Sequence, residues 1–403
     1  MRSLILYWQP LGSPARSAVK AHLAGLVRAA GARSTAVVNT VGGAHPALAR
    51  LDVDCVLLHT TFLGQRWLEP FPRWRERSAW IGRLGVPVLA FPQDDYDHSD
   101  VLDDWLGELG VSDVFTSLPH GVESLYPTRA GGAAFHVVLT GYLDEPTIAR
   151  GRAAQPLALR RLDAVYRASD LPYWFGSHGQ LKRAVGLAAQ GEAHRRGLAA
   201  DISIASADVI GGDRWLDFLA SGRVAPGCES GASAIDRRGE LRRAIVEILA
   251  RRPAATFAEV SAELPPGWDE HEFFAVSPRH LEAAALRTAQ VLVEGRYSDV
   301  LQPGRHYVPV KRDLSDLGDA LALAADPAVI QEMAECAYEE VALSADVSQA
   351  RFADLVRQTL ASRGCDPDSG SDTTASWRAL RRVAEVAGAL LGWSRPGGLL
   401  RRS

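Results

Sequence analysis

Ser277-Pro278-Arg279-His280-Leu281-Glu282-Ala283-Ala284-Ala285-Leu286-Arg287-Thr288, followed by the apolar run Ala289-Gln290-Val291-Leu292-Val293, reads as a loop, a short helix and a strand. Ser and Pro sit where a helix starts. Glu282 is the one carboxylate of the first turns, among alanines small enough to let the helix pack close to a sheet or a ligand. The first amides of a helix are unpaired and its dipole favours negative charge, so such a start is a ready anion site. Arg279 and His280 add donors, and a carboxylate one turn in can accept hydrogen bonds from a ribose. The stretch therefore reads either as a nucleoside diphosphate site or as a buried Ala-rich helix with a surface Glu.

Working outward, the same rhythm recurs. In the first third, strand signals at Leu4 to Trp8, Ser34 to Val38, Val53 to His59, Val86 to Phe91 and Val114 to Ser117 alternate with helical periodicity at Ser17 to Ala30, Trp74 to Leu84 and Val101 to Leu109. Glycines 31, 85 and 110 stop those helices. The alternation restarts with strands at Phe135 to Tyr142, Leu162 to Arg167, Asp201 to Ile204, Arg223 to Pro226 and Tyr307 to Val310, and helices at Thr147 to Leu159, Gln180 to Arg196 and 315–342. This predicts an α/β fold of two doubly wound halves, joined near Pro119 to Gly132, with parallel sheets covered on both faces. Cys365 to Ser376 reads as a linker, and Trp377 to Leu391 as a last helix docking on the body. Ligands of such sheets bind beyond the carboxyl ends of the strands, so chemistry is sought there.

The chain has 403 residues, 47% hydrophobic and 23% charged, as expected of a globular protein. A formal net charge of -4 gives no electrostatic case for a nucleic-acid partner. Four widely spaced cysteines form no CxxC pair, which suits neither a zinc framework nor a disulfide scaffold and fits a cytoplasmic setting. No apolar run is long enough to span a bilayer or, at the N-terminus, to form a signal peptide core. Oligomeric state is left open.

Strand-end loops supply the candidate residues. His59 follows the third strand. Asp94, Asp95, Asp97 and His98 follow the fourth, where a carboxylate or imidazole could orient or deprotonate a hydroxyl; Ser99 and Asp100 read as helix caps. The carboxylates on this loop are not read as a metal site. Leu171 to Lys182 is glycine-punctuated and aromatic, and Lys182 supplies a charge for phosphate. It matches neither GxGxxG nor a P-loop. Gly227-Cys228-Glu229-Ser230-Gly231 suits a ligand-lining loop or a structural turn, and Cys228 has no nearby His to make it a nucleophile. The tryptophans, Trp215 among them, read as packing residues.

Three segments, Ser277–Ala285, Val291-Leu292-Val293-Glu294-Gly295 and Leu301-Gln302-Pro303-Gly304-Arg305-His306-Tyr307, together resemble the C-terminal half of bacterial group-1 glycosyltransferases, closest to the spore-maturation-protein-like branch. Ser117-Leu118-Pro119-His120-Gly121-Val122-Glu123 with Tyr126-Pro127, and Leu139-Thr140-Gly141-Tyr142-Leu143, are similar to segments that close the first domain and open the second in that group. The resemblance implies a GT-B fold, two Rossmann-like domains facing across a cleft: an acceptor domain over 1–128, a nucleotide-sugar domain over 129–345, and C-terminal helices and linker over 346–403. It implies transfer of a sugar from a nucleoside diphosphate sugar to an acceptor hydroxyl, retaining and independent of metal, with no cofactor besides the donor substrate. Carried over, Glu282 would bind the ribose. Lys182 would meet the diphosphate with the amides of Ser277 to Leu281 and Arg279. Glu229 and Gly231 would line the donor pocket, and His59, Asp94 and His98 would face sugar and acceptor. The group's usual first acid is Phe274 here, its usual Arg after the domain opening is Tyr142, and Asp236 to Glu272 is an insertion. A non-catalytic nucleotide-sugar or glycan binding protein and a nucleotide-sugar epimerase, the latter needing acids such as Asp94/Asp95 and Glu229 on both sides of the sugar, are the alternative readings.

Overall fold

In the computed structural model, which describes residues 1–10, 17–367, 375 and 377–379, the alternating segments resolve into two parallel sheets in two units. One unit is Met1–Val138 with the segment from Gln349 onward; the other is Leu139–Ser348. In the first, β1 (Ser3–Tyr7), β2 (Thr35–Asn39), β3 (Cys55–Leu58), β4 (Val88–Ala90), β5 (Asp113–Thr116) and β6 (Ala134–Val137) lie in the order β2-β1-β3-β4-β5-β6, all parallel. In the second, β7 (Leu162–Arg167), β8 (Ala200–Ser203) and β9 (Gly222–Gly227) precede a small antiparallel pair, β10 (Ser230–Ala232) and β11 (Phe273–Ala275). β12 (Ala289–Val293) and β13 (Val308–Val310) complete a parallel sheet in the order β13-β12-β9-β7-β8. Each sheet starts in its interior, sends one strand to one side and the rest to the other. The reversal points are therefore β1/β3 and β7/β9, where open α/β sheets leave a crevice at the carboxyl ends.

The second sheet shows why both faces are covered. Side chains alternate along a strand. Ala164 and Tyr166 of β7 and Val291 and Val293 of β12 join one core with Leu181, Val185 and Ala189 of the helix Gly176–Arg196. Val165, between them, packs instead with Ala283 and Leu286 at the helix Pro278–Ala285, and Leu292 with Leu281 and Ala284.

Two expectations shift. The segment read as opening the second half, Phe135 to Tyr142, is instead the sixth strand of the first sheet, paired in register with β5 from Asp113↔Ala134 to Thr116↔Val137. The division thus falls at 138/139 rather than 128/129, and the helix Gln349–Ser362 returns to the first unit, where a Cβ on Gly25 would lie 2.9 Å from Phe352. The long helix starts at Gly176, four residues before the expected Gln180, so the glycine-punctuated stretch is its first turn rather than a loop. Most of the linker and of the last helix, Trp377 to Leu391, lies outside the described residues.

Candidate functional site

The helix Pro278–Ala285 is fixed from several sides. Ser277 is extended (φ -89, ψ 147) with Pro278 in the first turn. The Val276 carbonyl accepts from the Thr140 hydroxyl, and the Val276 amide donates to Ser298 Oγ at 3.0 Å. At the far end a Cβ on Gly151 would stand 1.7 Å from the Ala285 carbonyl, so a glycine is what allows the neighbouring helix Glu145–Arg152 so close. Held this way, the helix presents Arg279 and Glu282 near the carboxyl end of β7. Arg279 donates to the Arg167 carbonyl at 2.8 Å and lies 5.9 Å and 5.6 Å from the rings of Tyr166 and Trp215. Glu282 Oε2 accepts from Trp215 Nε1 at 2.7 Å; among the described residues Oε1 makes no hydrogen bond. Burial pushes the Glu282 carboxyl up, against the Trp215 bond and the Arg279 charge.

Two neighbours expected as donors are already engaged. The Ser277 amide donates to His280 Nδ1 at 3.2 Å, and Ser277 is 8% exposed. His280 is folded inward, edge-on to Tyr297 at 5.0 Å, and burial holds its pKa well below the ordinary value, so the ring is neutral. A ring whose Nδ1 accepts from its own helix's N-cap orders that helix's start; it adds no charge to an anion site.

Lys182 stands on the second turn of the helix Gly176–Arg196, with Nζ 3.4 Å from Ser230 Oγ. The first amides of that helix are taken: Ser177 N donates to Asp269 Oδ1 at 2.8 Å and His178 N to Ser233 Oγ at 3.0 Å, while the Ser233 hydroxyl itself donates to Asp269. Asp269, from the segment 236–272, thus occupies the helix start that the glycines had marked for phosphate. Glu229 corrects a second expectation. Oε1 accepts from the Tyr297 amide at 2.6 Å, and a Cβ on Gly295 would be 2.3 Å from Oε2. The carboxylate braces the backbone at Tyr297, Ser298 and Asp299, three successive non-glycine residues in the left-handed region (φ 48, 53 and 58). Such residues cost about 1–3 kcal/mol each unless their surroundings hold them, so Glu229 supports the turn that carries Ser298 to Val276. Gly231 (φ 120) likewise serves the β10–β11 pair, where a Cβ would meet the Phe273 carbonyl at 1.9 Å. Burial pushes the Cys228 thiol up to about 11, consistent with its not being a nucleophile.

Sequence reasoning passed over Arg312, Trp215 and Asp269. Arg312 lies two residues beyond β13, over the Phe274 ring at 5.9 Å, and its charge bears on the Glu229 carboxyl; Phe274 also stacks on His178 at 3.8 Å. Its position past a strand end was the available signal. The charges of Lys182, Arg279 and Arg312 all bear on Cys228, so three cations gather at the carboxyl ends of β7, β9 and β13.

In the first unit, His59 does not reach a surface. It is fully buried at the start of the helix Thr60–Leu63, where Nδ1 accepts from Thr61 N at 3.0 Å, and its ring packs on His22 at 4.7 Å. A strand-end His is as good a helix cap as a base, and here it caps. The loop after β4 is pinned by Arg66, a buried guanidinium donating to the carbonyls of Leu63, Gln93, Asp94 and Asp97. Asp95 is buried, accepting from Thr116 and Tyr126, both at 2.6 Å. This leaves Asp94 exposed, with Oδ1 accepting from Tyr96, and His98 partly exposed against Asp97 at 2.6 Å. Both adopt left-handed backbone, φ 51 and 56.

No protein-family model matches the sequence, and no curated protein matches it. Among solved structures, the chain is similar to T4 phage BGT in complex with its UDP-glucose substrate, at 10% identity and TM-score 0.53, covering 89% of this chain and 99% of that one. It is also similar to HepE of Anabaena in complex with UDP and glucose, at 13% identity and TM-score 0.51, covering 90% and 100%. No helix among the described residues is long and apolar enough to cross a membrane. Two parallel doubly wound sheets, each reversing beside its first strand, and these likenesses along nearly the whole chain make the fold GT-B, built of two Rossmann-like units.

Proposed function

We propose that the chain is a cytoplasmic glycosyltransferase of the spore-maturation-like kind, moving a hexosyl group from a nucleoside diphosphate sugar to an acceptor hydroxyl. The unit Leu139–Ser348 takes the donor and the unit beginning at Met1 the acceptor. The observation that carries this reading is Glu282: a carboxylate anchored through one oxygen by Trp215, its other oxygen unspent, beside Arg279 at the β7/β9 reversal. Glu282 Oε1 accepts the ribose hydroxyls. Arg279, Lys182 and Arg312 stabilise the diphosphate as its charge grows on departure, the task for which a metal ion is otherwise used. With retention, the departing phosphate takes the acceptor's proton; His98 and Asp94 orient the acceptor, and His98 is the base if the reaction inverts. UDP-glucose in T4 phage BGT and UDP with glucose in HepE support a nucleotide-sugar donor. An epimerase would need an acid on the sugar from this unit, and Glu229 is spent on the Tyr297 amide.

A calorimetric panel of UDP, GDP, TDP and ADP tests the reading. One of them binds, and Glu282→Ala and Arg279→Ala each weaken it by roughly 1–3 kcal/mol, about 5- to 150-fold, as expected for contacts to charged groups. If no diphosphate binds, or both variants bind unchanged, the assignment fails. Donor turnover in an acceptor screen then separates an enzyme from a binding protein.

A further inference from the structure

Two of the four free cysteines, far apart in sequence, meet in the first unit. Cys55 opens β3 and is 0% exposed; Cys365 follows the helix Gln349–Ser362 and is 5% exposed. Gly364, at φ 78, ends that helix, and the Cys365 amide turns back to the Leu360 carbonyl at 2.9 Å. This aims Cys365 Sγ at the amino end of β3, 3.2 Å from the carbonyl of Asp54, 311 positions earlier. Asp54 is the residue just before Cys55, so the two thiols are neighbours at this end of the strand. Met1 Sδ, 3.8 Å from Cys55 Sγ, closes the other flank. Cys365 is the less covered of the two, and the thiol beside it pulls it down, while Cys365 beside it and burial push the Cys55 thiol up, so Cys365 is the readier thiolate.

We propose that Cys55 and Cys365 form a redox modification site, which a hydroperoxide converts to an intramolecular disulfide. The Cys365 thiolate attacks the peroxide oxygen, breaking the O–O bond and giving a sulfenic acid and hydroxide. Cys55 sulfur then attacks the sulfenic sulfur, the S–O bond breaks, and water leaves with the Cys55 proton. In sum, two thiols lose two electrons and two protons to one hydroperoxide. The bond ties the chain after the helix Gln349–Ser362 to the amino end of β3, closing a loop that holds the whole second unit. The candidate functional residues stand at carboxyl ends of strands, so this site is independent of the nucleotide reading.

The full-length protein is treated with hydrogen peroxide under native conditions, unfolded, alkylated and mapped by mass spectrometry. The thiol count falls by two from four, one cross-linked peptide joins Cys55 to Cys365, and dithiothreitol restores both. The oxidised form melts higher by on the order of 5 °C, because a long loop is closed in the unfolded chain. Cys365→Ser abolishes the cross-link, and Cys55→Ala does so as a second variant, the wild-type map standing whether or not Cys55→Ala folds. Four remaining thiols, a disulfide through Cys228 or Cys336, or sulfinic acid at Cys365 with no cross-link each overturn the proposal.

Discussion

Replacing His22 with Phe should remove much of this protein's sensitivity to mild acid. His22 lies on the helix Ser17–Ala30, its ring 4.7 Å from His59, 5.6 Å from Phe91 and 5.1 Å from Phe352. Nδ1 is buried without a partner, and burial lowers the pKa from 6.5 to about 4. The unfolded chain therefore takes up this proton more readily than the folded one. The stabilisation from keeping His22 neutral is complete above pH 6.5, declines as pH falls, and is gone below about 4. The shift of about 2.5 units corresponds to roughly 3 kcal/mol at most, of which about 2 kcal/mol is lost by pH 5. The residue keeps some exposure while Nδ1 is sealed, so these figures are ceilings. Phe keeps the ring contacts, removes an unsatisfied nitrogen and cannot be charged, so the variant should match or exceed wild type at pH 7.5. Urea midpoints at pH 7.5, 6, 5 and 4.5 make the comparison: wild type loses stability down the series, and His22→Phe loses about 2 kcal/mol less by pH 5. His59, lowered by burial and then by the charge of His22, acts in the same direction, so a residual slope is expected. Equal slopes in the two proteins would refute the argument, because the proton would then be taken up elsewhere.

Three other perturbations report on how the second unit is assembled. Gly151→Ala sets a methyl 1.7 Å from the Ala285 carbonyl and forces two helices apart, so a loss of about 1–3 kcal/mol should appear in thermal denaturation; an unchanged melting temperature would mean the helices are not this close. Asp269→Ala uncaps the helix Gly176–Arg196 and should cost about 0.5–2 kcal/mol, read by urea denaturation, whereas Asp269→Asn, which still accepts from Ser177, should recover part of it. Trp215→Phe removes the bond that holds the Glu282 carboxyl down, so its pKa rises further. Nucleoside diphosphate affinity should then be lost at a higher pH than in wild type, and identical affinity–pH curves would separate Glu282 from binding.

The fold was legible because its signal is periodic. Apolar runs alternating with 3.6-period stretches specify parallel strands and covering helices, and β7 and β12 begin and end where the runs do. The boundary at 128/129 was not legible, since nothing local in Ala134–Val137 says which sheet it joins; pairing with β5 decides that. For the site, residue type was informative and residue duty was not. Glu282, Arg279 and Lys182 were visible as charges near strand ends, but so were Glu229 and His59, whose polar atoms the fold spends on the Tyr297 amide and on a helix start. The difference lies in long-range geometry. Glu229 meets an amide 68 positions away, and Asp269 meets one 92 positions away. A buried carboxylate is expensive unless several donors meet it, so a fold tends to keep its acids either fully paired inside or open at an edge. Asp95 and Asp103 depart from that with an unpaired oxygen sealed inside, whereas Glu282 departs from it while partly exposed, with one oxygen paired and one not. That imbalance, rather than its place in a familiar string of residues, is the physical reason to look for a ligand there.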